Sequence, residues 1–287
     1  MANLLLVGCG DLGAGLAARL VASGHRVTAL KRTPPAAPLA GVTYRSADLT
    51  QPHTLADLGG PFDQVFVILA PGARDAAAYQ ALYGVGVDQL RARLEGRVGH
   101  WFFVSSTSVY GQDAGEWVDE DAPAAPTAAT AKWLLTAERC LADAGMAATT
   151  VRFSGIYGPG RERLLRQVLA GAPVQYDPPS YTNRIHSDDC LGVLEWLHRR
   201  QLAGAGLALL YLASDDEPAP AGDVARWLAA ELGVPAPPAA VAGGGQNKRC
   251  RNDRLKQAGY RFAYPNWREG YRGVIEQWRA AHTEQMQ

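Results

Sequence analysis

Blocks of apolar and polar residues alternate along the first half of the chain. Asn3 to Val7 is a short run dominated by leucine and valine, and it stops at Gly8. From Asp11 to Ser23 the apolar period changes, with Leu12, Leu16, Leu20 and Val21 on one face and Gly24 as the stop. These stretches predict a buried strand followed at once by an amphipathic helix. The pattern then repeats. Strands are predicted at Arg26–Leu30, Val42–Ser46, Asp63–Leu69, Trp101–Val104 and Ala147–Phe153, and helices at Arg74–Leu94 and Ala131–Ala144. Strands alternating with helices at this spacing predict an α/β fold of the doubly wound parallel type.

The junction of the first strand and helix reads Gly8-Cys9-Gly10-Asp11-Leu12-Gly13, a Gly-x-Gly-x-x-Gly loop. Gly8 permits the tight turn, Gly10 lets a diphosphate approach the backbone, and Gly13 lets helix and strand pack closely. Asp11 and Leu12 open the helix, whose free N–H groups and positive dipole end hold phosphate. The loop therefore predicts a dinucleotide site. The residue closing the second strand of such a unit distinguishes the two nicotinamide cofactors. A carboxylate there bonds the ribose 2′-OH of NAD, and arginine accommodates the 2′-phosphate of NADP. This chain offers Lys31 and Arg32 and no acid, which favours NADP and leaves NAD possible. Asp48 and Leu49 follow the third strand, where the adenine edge lies. Asp48 either accepts a proton from the adenine amine or caps the next short helix. Ala70 and Pro71 follow the fourth strand in a loop passing over the cofactor.

After Phe153 the alternation fades into short elements and proline-rich segments such as Asp177-Pro178-Pro179 and Pro235-Ala236-Pro237-Pro238. Asp113 to Thr130 reads as a long loop, and Leu207–Ala213 as a seventh strand returning to the main sheet. The expected organisation is a Rossmann-type NAD(P)-binding domain over residues 1–157 and a small C-terminal substrate lobe over 158–287, with about 184–213 returning to the first sheet.

Composition narrows the function further. In 287 residues the formal net charge is zero, with basic residues spread along the chain, so nothing points to nucleic acid. Cys9, Cys140, Cys190 and Cys250 form no Cys-x-x-Cys and no metal-ligand spacing; Cys9 belongs to the glycine loop and the others to predicted helices or an irregular tail, so no metal is expected and the thiols read as free in a reducing compartment. The opening apolar run is too short and too quickly broken for a signal peptide, and no later run approaches a membrane span. The expectation is a soluble cytoplasmic protein.

Four motifs, in this order, carry a family resemblance: the glycine loop, Ser105-Ser106-Thr107-Ser108-Val109-Tyr110-Gly111, Arg152-Phe153-Ser154-Gly155-Ile156-Tyr157-Gly158-Pro159-Gly160, and Arg184-Ile185-His186-Ser187-Asp188-Asp189. Over nearly the whole chain they resemble the extended short-chain dehydrogenases, the NAD-dependent epimerase/dehydratase family. The resemblance implies a Rossmann domain, a substrate lobe, a small-molecule substrate and, in many members, a homodimer. It places Ser106 where the family keeps the hydroxyl that polarises the reacting carbonyl or alcohol, with Tyr110 lining the substrate side. Arg152 begins the segment behind the nicotinamide, Asp189 is structural, and His186 is a packing residue more than a catalytic one. Trp117, Tyr176, Tyr181 and Arg184 stand as candidates for the substrate lobe's cleft, or for core and surface.

The chain departs from that family at its acid/base. The family uses Tyr-x-x-x-Lys, but here Val27, Ala128, Gly244 and Asn252 stand four residues before Lys31, Lys132, Lys248 and Lys256, respectively. The glycine loop also has Val7 where the family prefers a first glycine. Two functions from different classes remain. One is an NAD(P)-dependent oxidoreductase or epimerase whose proton comes from Tyr110, Lys132 or water. The other is an NADP-binding redox sensor or partner-binding module without turnover.

Overall fold

The short apolar runs form the middle of one sheet. The computed structural model describes residues 1–283. Its strands are β1 (Asn3–Val7), β2 (Arg26–Lys31), β3 (Val42–Ser46), β4 (Phe62–Val67), β5 (Val98–Ser106), β6 (Glu116–Val118), β7 (Ala148–Phe153), β8 (Gly155–Tyr157), β9 (Tyr181–Thr182), β10 (Arg184–His186), β11 (Leu210–Ala213), β12 (Ala219–Pro220) and β13 (Lys248–Cys250). The helices are α1 (Asp11–Ala22), α2 (Ala76–Tyr79), α3 (Val87–Arg93), α4 (Ala129–Asp143), α5 (Arg163–Leu169), α6 (Ser187–Leu202), α7 (Ala221–Leu232), α8 (Asp253–Gln257) and α9 (Trp267–Thr283).

Seven strands form the main sheet in the order β11-β7-β5-β4-β1-β2-β3. The registers β1–β2, β1–β4, β2–β3 and β4–β5 are all parallel. The order reverses direction at β1, so chain crossovers lead away on either side of it, as in a Rossmann-type doubly wound sheet. β11 takes the edge beside β7, as expected for the seventh strand.

The chain divides into two compact units. The first comprises Met1–Val109, Ala124–Arg152 and Leu191–Tyr211. Its core is the wall of leucine, valine and phenylalanine on β1, β4 and β5, with Leu16 and Leu20 of α1 fully buried. The second comprises Tyr110–Pro123, Phe153–Cys190 and the chain from Leu212 onward. There α9 turns Trp267, Tyr271, Val274 and Ile275, one helical face, into a core shared with Leu165 and Val168 of α5 and Val224 and Leu228 of α7.

Three local expectations are corrected. The predicted helix Arg74–Leu94 is not one α-helix: a π-helical turn, Gln80–Gly86, separates α2 from α3. Gly84 and Gly86 fall in that turn. A Cβ on Gly84 would press on the Trp133 ring, and one on Gly86 on Leu49, so close packing of this segment needs both glycines. The loop Asp113–Thr130 contains β6, which pairs in parallel with β13. Cys250, expected in a helix or irregular tail, is the buried last residue of that strand.

Candidate cofactor site

The glycine loop is built by close approach. Gly8 has φ +93°, and a Cβ there would come within 3.0 Å of the Ile68 carbonyl group. Gly13 lies equally close over the Gly8 carbonyl oxygen. Neither position can carry a side chain without moving backbone. Gly10 differs: nothing stands within 4 Å of its Cβ position, so its α-carbon faces open space. It is also the N-cap of α1 and has no side chain with which to satisfy the N–H groups of the first turn. Open backbone and first-turn N–H groups lacking a side-chain cap are what a diphosphate requires.

That opening belongs to a cavity of about 540 Å³ within the first unit, at the carboxyl ends of β1, β2 and β4. Of the sequence-predicted cofactor residues, Gly8, Gly10, Lys31, Arg32, Asp48, Leu49, Ala70 and Pro71 line it. Asp11, Leu12 and Gly13 do not; they lie behind the loop in the first turn of α1. Lys31 is half-buried at the end of β2, and Arg32 is exposed beside it. An Arg32 terminal nitrogen lies 3.6 Å from the Cβ position of Gly72, in the loop after β4. No carboxylate closes β2, whose last residue is Lys31. Asp48 accepts hydrogen bonds from the Thr50 backbone N–H (2.9 Å) and hydroxyl (2.8 Å). The N–H bond from Thr50 holds its carboxyl below the usual range, with Arg32 adding a smaller pull. It is a local turn residue and a cavity-lining one together.

Sequence reasoning missed part of this cavity. Ala78, Ala81 and Leu82, at helical spacing, form one wall, and Cys9 lines the loop side. The Cys9 thiol lies 3.8 Å from the Tyr44 hydroxyl, and burial pushes its pKa up, so it is a filler and not a thiolate. The buried Tyr83 hydroxyl donates to the Leu69 carbonyl at 2.8 Å, fixing the loop that Gly8 abuts.

The candidate catalytic residues fare differently. Ser106 ends β5 half-buried, and its hydroxyl oxygen accepts the Ser108 N–H at 3.1 Å, which leaves its proton to donate. Tyr110 is fully buried, and its hydroxyl donates to the Asp119 carbonyl at 2.6 Å. Its phenol proton is thus engaged by backbone. Lys132 lies on the exposed side of α4. Arg152 is a buried partner of Glu138, with Nε 3.0 Å and a terminal nitrogen 2.6 Å from the two carboxylate oxygens. The Ser105 hydroxyl donates to the same carboxylate.

In the second unit, Trp117 and Tyr181 flank the Arg249 guanidinium at 4.9 and 4.8 Å. Tyr176 donates to the Pro237 carbonyl and receives Arg226 on its ring. Arg184 is buried, and one of its terminal nitrogens has no hydrogen-bond partner among the described residues. His186 packs its ring against Tyr264 at 3.8 Å, and burial lowers its pKa. Asp189 accepts from the Tyr260 hydroxyl and from the Ala263 and Tyr264 N–H groups, a structural anchor. Among the described residues no group of three or more His, Cys, Asp and Glu is placed to hold a metal, and no helix is long and apolar enough to cross a membrane.

Comparison with known proteins agrees with this geometry. Residues 8–175 match the NAD(P)H-binding family. A 3-diazoavenalumate denitrifying reductase of a Streptomyces species is 28% identical, over 91% of this chain and 96% of its own. Among solved structures, an NAD-dependent epimerase/dehydratase from Methylobacillus flagellatus is 38% identical, with a TM-score of 0.83 over 97% of this chain and 99% of that one. MoeE5, solved with UDP-glucose and NAD, shares the fold at 22% identity, with a TM-score of 0.78 over 97% of this chain and 99% of its own. The chain thus belongs to the NAD(P)H-binding family, as a Rossmann-type protein of the NAD-dependent epimerase/dehydratase kind that its motifs resemble.

Proposed function

We propose that the protein is an NADP-dependent oxidoreductase that transfers hydride to or from a carbonyl or alcohol carbon of a small-molecule substrate, without the Tyr-x-x-x-Lys acid/base. The observation that carries this reading is the 540 Å³ cavity whose β2 end presents Lys31 and Arg32 and no carboxylate. Gly10 and the first turn of α1 would hold the diphosphate, Arg32 and Lys31 the 2′-phosphate, Asp48 and Leu49 the adenine edge, and Ala70 and Pro71 the stretch toward the nicotinamide. The bound cofactor supplies the hydride, and the protein contributes orientation and a hydrogen bond from Ser106 to the substrate oxygen. The Streptomyces reductase favours reduction as the reaction direction. Free thiols at all four cysteines support a cytoplasmic setting. A homodimer belongs to the same reading and is tested by sedimentation.

A second reading rests on the missing Tyr-x-x-x-Lys: an NADP-binding redox sensor or partner-binding module without turnover. One titration series separates the two. Purified protein is titrated with NADPH and NADH by energy transfer from its tryptophans, then offered a carbonyl panel. NADPH-selective binding with turnover supports the oxidoreductase. NADPH-selective binding without turnover supports the sensor. Failure to bind either nucleotide overturns both.

A further inference from the structure

The outward face of the small sheet formed by β6 and β13 carries a tryptophan with two arginines on it. Trp117 and Arg249 are register partners in that parallel pair, whereas Val118, Lys248 and Cys250 are buried on its other face. The Arg249 guanidinium carbon lies 4.9 Å from the centre of the Trp117 ring and 4.8 Å from that of Tyr181. Arg251, two residues on, brings its own to 5.0 Å from Trp117. All four side chains belong to the second unit. Trp117 is 46% exposed and Arg251 is exposed, so solvent reaches the cluster.

Stacking on a ring occupies the face of a guanidinium and leaves its N–H edge for an acceptor. One such donor is taken: Arg249 Nε bonds the Gly115 carbonyl at 2.7 Å. The two terminal nitrogens of Arg249 and all three nitrogens of Arg251 have no acceptor among the described residues, and no carboxylate of those residues lies within 4.0 Å of either side chain. Two other arginines laid over rings are neutralised. Arg226, over Tyr176, pairs with Asp223 at 2.7 Å, and Arg268, over Trp267, pairs with Glu217. Glu116, beside Trp117 in sequence, turns its carboxylate to the Ala114 N–H instead. Covering an indole does not call for two cations, whose mutual repulsion works against the stack. A dianion at the two open edges removes that repulsion and takes up the unused donors in bidentate pairs.

We propose that Arg249 and Arg251 bind the phosphoryl group of a small-molecule ligand, with Trp117 and Tyr181 as the rings that hold the two forks in place. The double negative charge of a phosphoryl group matches the two cations, which the single charge of a carboxylate does not. The site lies wholly within the second unit and stands whether or not the protein uses NADP.

Trp117 reports on the site directly. In protein carrying nitrogen-15 in its seven tryptophans, W117F identifies the Trp117 indole signal. Inorganic phosphate, a dianion at about pH 8, is expected to move that signal saturably at constant ionic strength. R249Q and R251Q are each expected to weaken the response about tenfold or more, and acetate to act about tenfold more weakly than phosphate. Arg251 is exposed, so R251Q carries the test should R249Q not fold. G10V, altered at the glycine loop of the first unit, is expected to respond like wild type. A Trp117 signal that phosphate leaves in place, or moves alike in wild type and R251Q, overturns the site. A response lost in G10V assigns the phosphate to the cofactor cavity and overturns it too. Acetate acting as strongly as phosphate overturns the choice of a phosphoryl group. None of these outcomes bears on NADPH binding, which the titration above reads separately.

Discussion

Gly13 of α1 stands over the carbonyl oxygen of Gly8 so closely that a Cβ on Gly13 would come within 3.0 Å of it. Gly10, between the two in sequence, has an empty Cβ position. The three glycines therefore do different work, and substitution separates them. Gly13→Ala has to push helix off strand and is expected to cost about 1–3 kcal/mol of stability. Gly10→Val is expected to melt with wild type and to lose NADPH binding, since its side chain enters the diphosphate's place. Calorimetry and NADPH titration read the two effects apart; a Gly10→Val protein with undiminished affinity contradicts the site.

Arg32→Asp puts a carboxylate beside the end of β2, where it favours a ribose hydroxyl over a phosphate. The ratio of NADPH to NADH dissociation constants is expected to move about tenfold or more toward NADH. An unchanged ratio reduces the basic pair to a solvated loop.

The Glu138–Arg152 pair is buried on both sides, at 8% and 6% side-chain exposure. Removing one partner strands a charge in the core. Arg152→Met is expected to destabilise the fold by about 3–5 kcal/mol, and Glu138→Leu combined with Arg152→Met to recover most of that loss. Urea melts of the two singles and the double form the cycle; additive losses rule out the coupling.

Acid sensitivity follows from a relay at the amino-terminal ends of the strands. The Ala2 N–H donates to His25 Nδ1 at 3.2 Å, His25 and His198 meet through their Nε2 atoms at 3.1 Å, and His198 Nδ1 bonds Gln64 Oε1. With His25 Nδ1 accepting, its Nε2 carries the proton, so His198 accepts there and donates to Gln64. A second proton on either ring meets another donor. Burial lowers the His198 pKa from 6.5 to about 4, and that of His100 likewise. The unfolded chain thus takes up protons near 6.5 that the folded chain refuses until about 4. Stability present above pH 6.5 is lost as pH falls across that window. His198→Asn keeps a donor toward Gln64 without titrating, and its urea midpoint is expected to fall less steeply with acid. Parallel slopes in the two proteins exclude the relay as the cause.

Much of this molecule was legible because period and burial coincide. Val42–Ser46 is β3 to the residue, and the glycine loop announced the cavity it opens into. The lapses share a cause: the deciding partner is remote in sequence. The strand β6 and the place of Cys250 in a strand stay invisible until β13 pairs with β6, more than a hundred residues away.

The π turn at Gln80–Gly86 has a consequence for how this protein can change. Ala78, Ala81 and Leu82 belong to the cavity wall, whereas Val87 and Leu90, beyond the turn, belong to the core. An i→i+5 turn holds an extra residue, so the rotational phase of the wall is set apart from that of the core. Small-to-large exchanges on the wall can therefore reshape the nucleotide's surroundings without retuning the buried helix that follows. The turn acts as a seam between a segment open to adaptation and one fixed by packing.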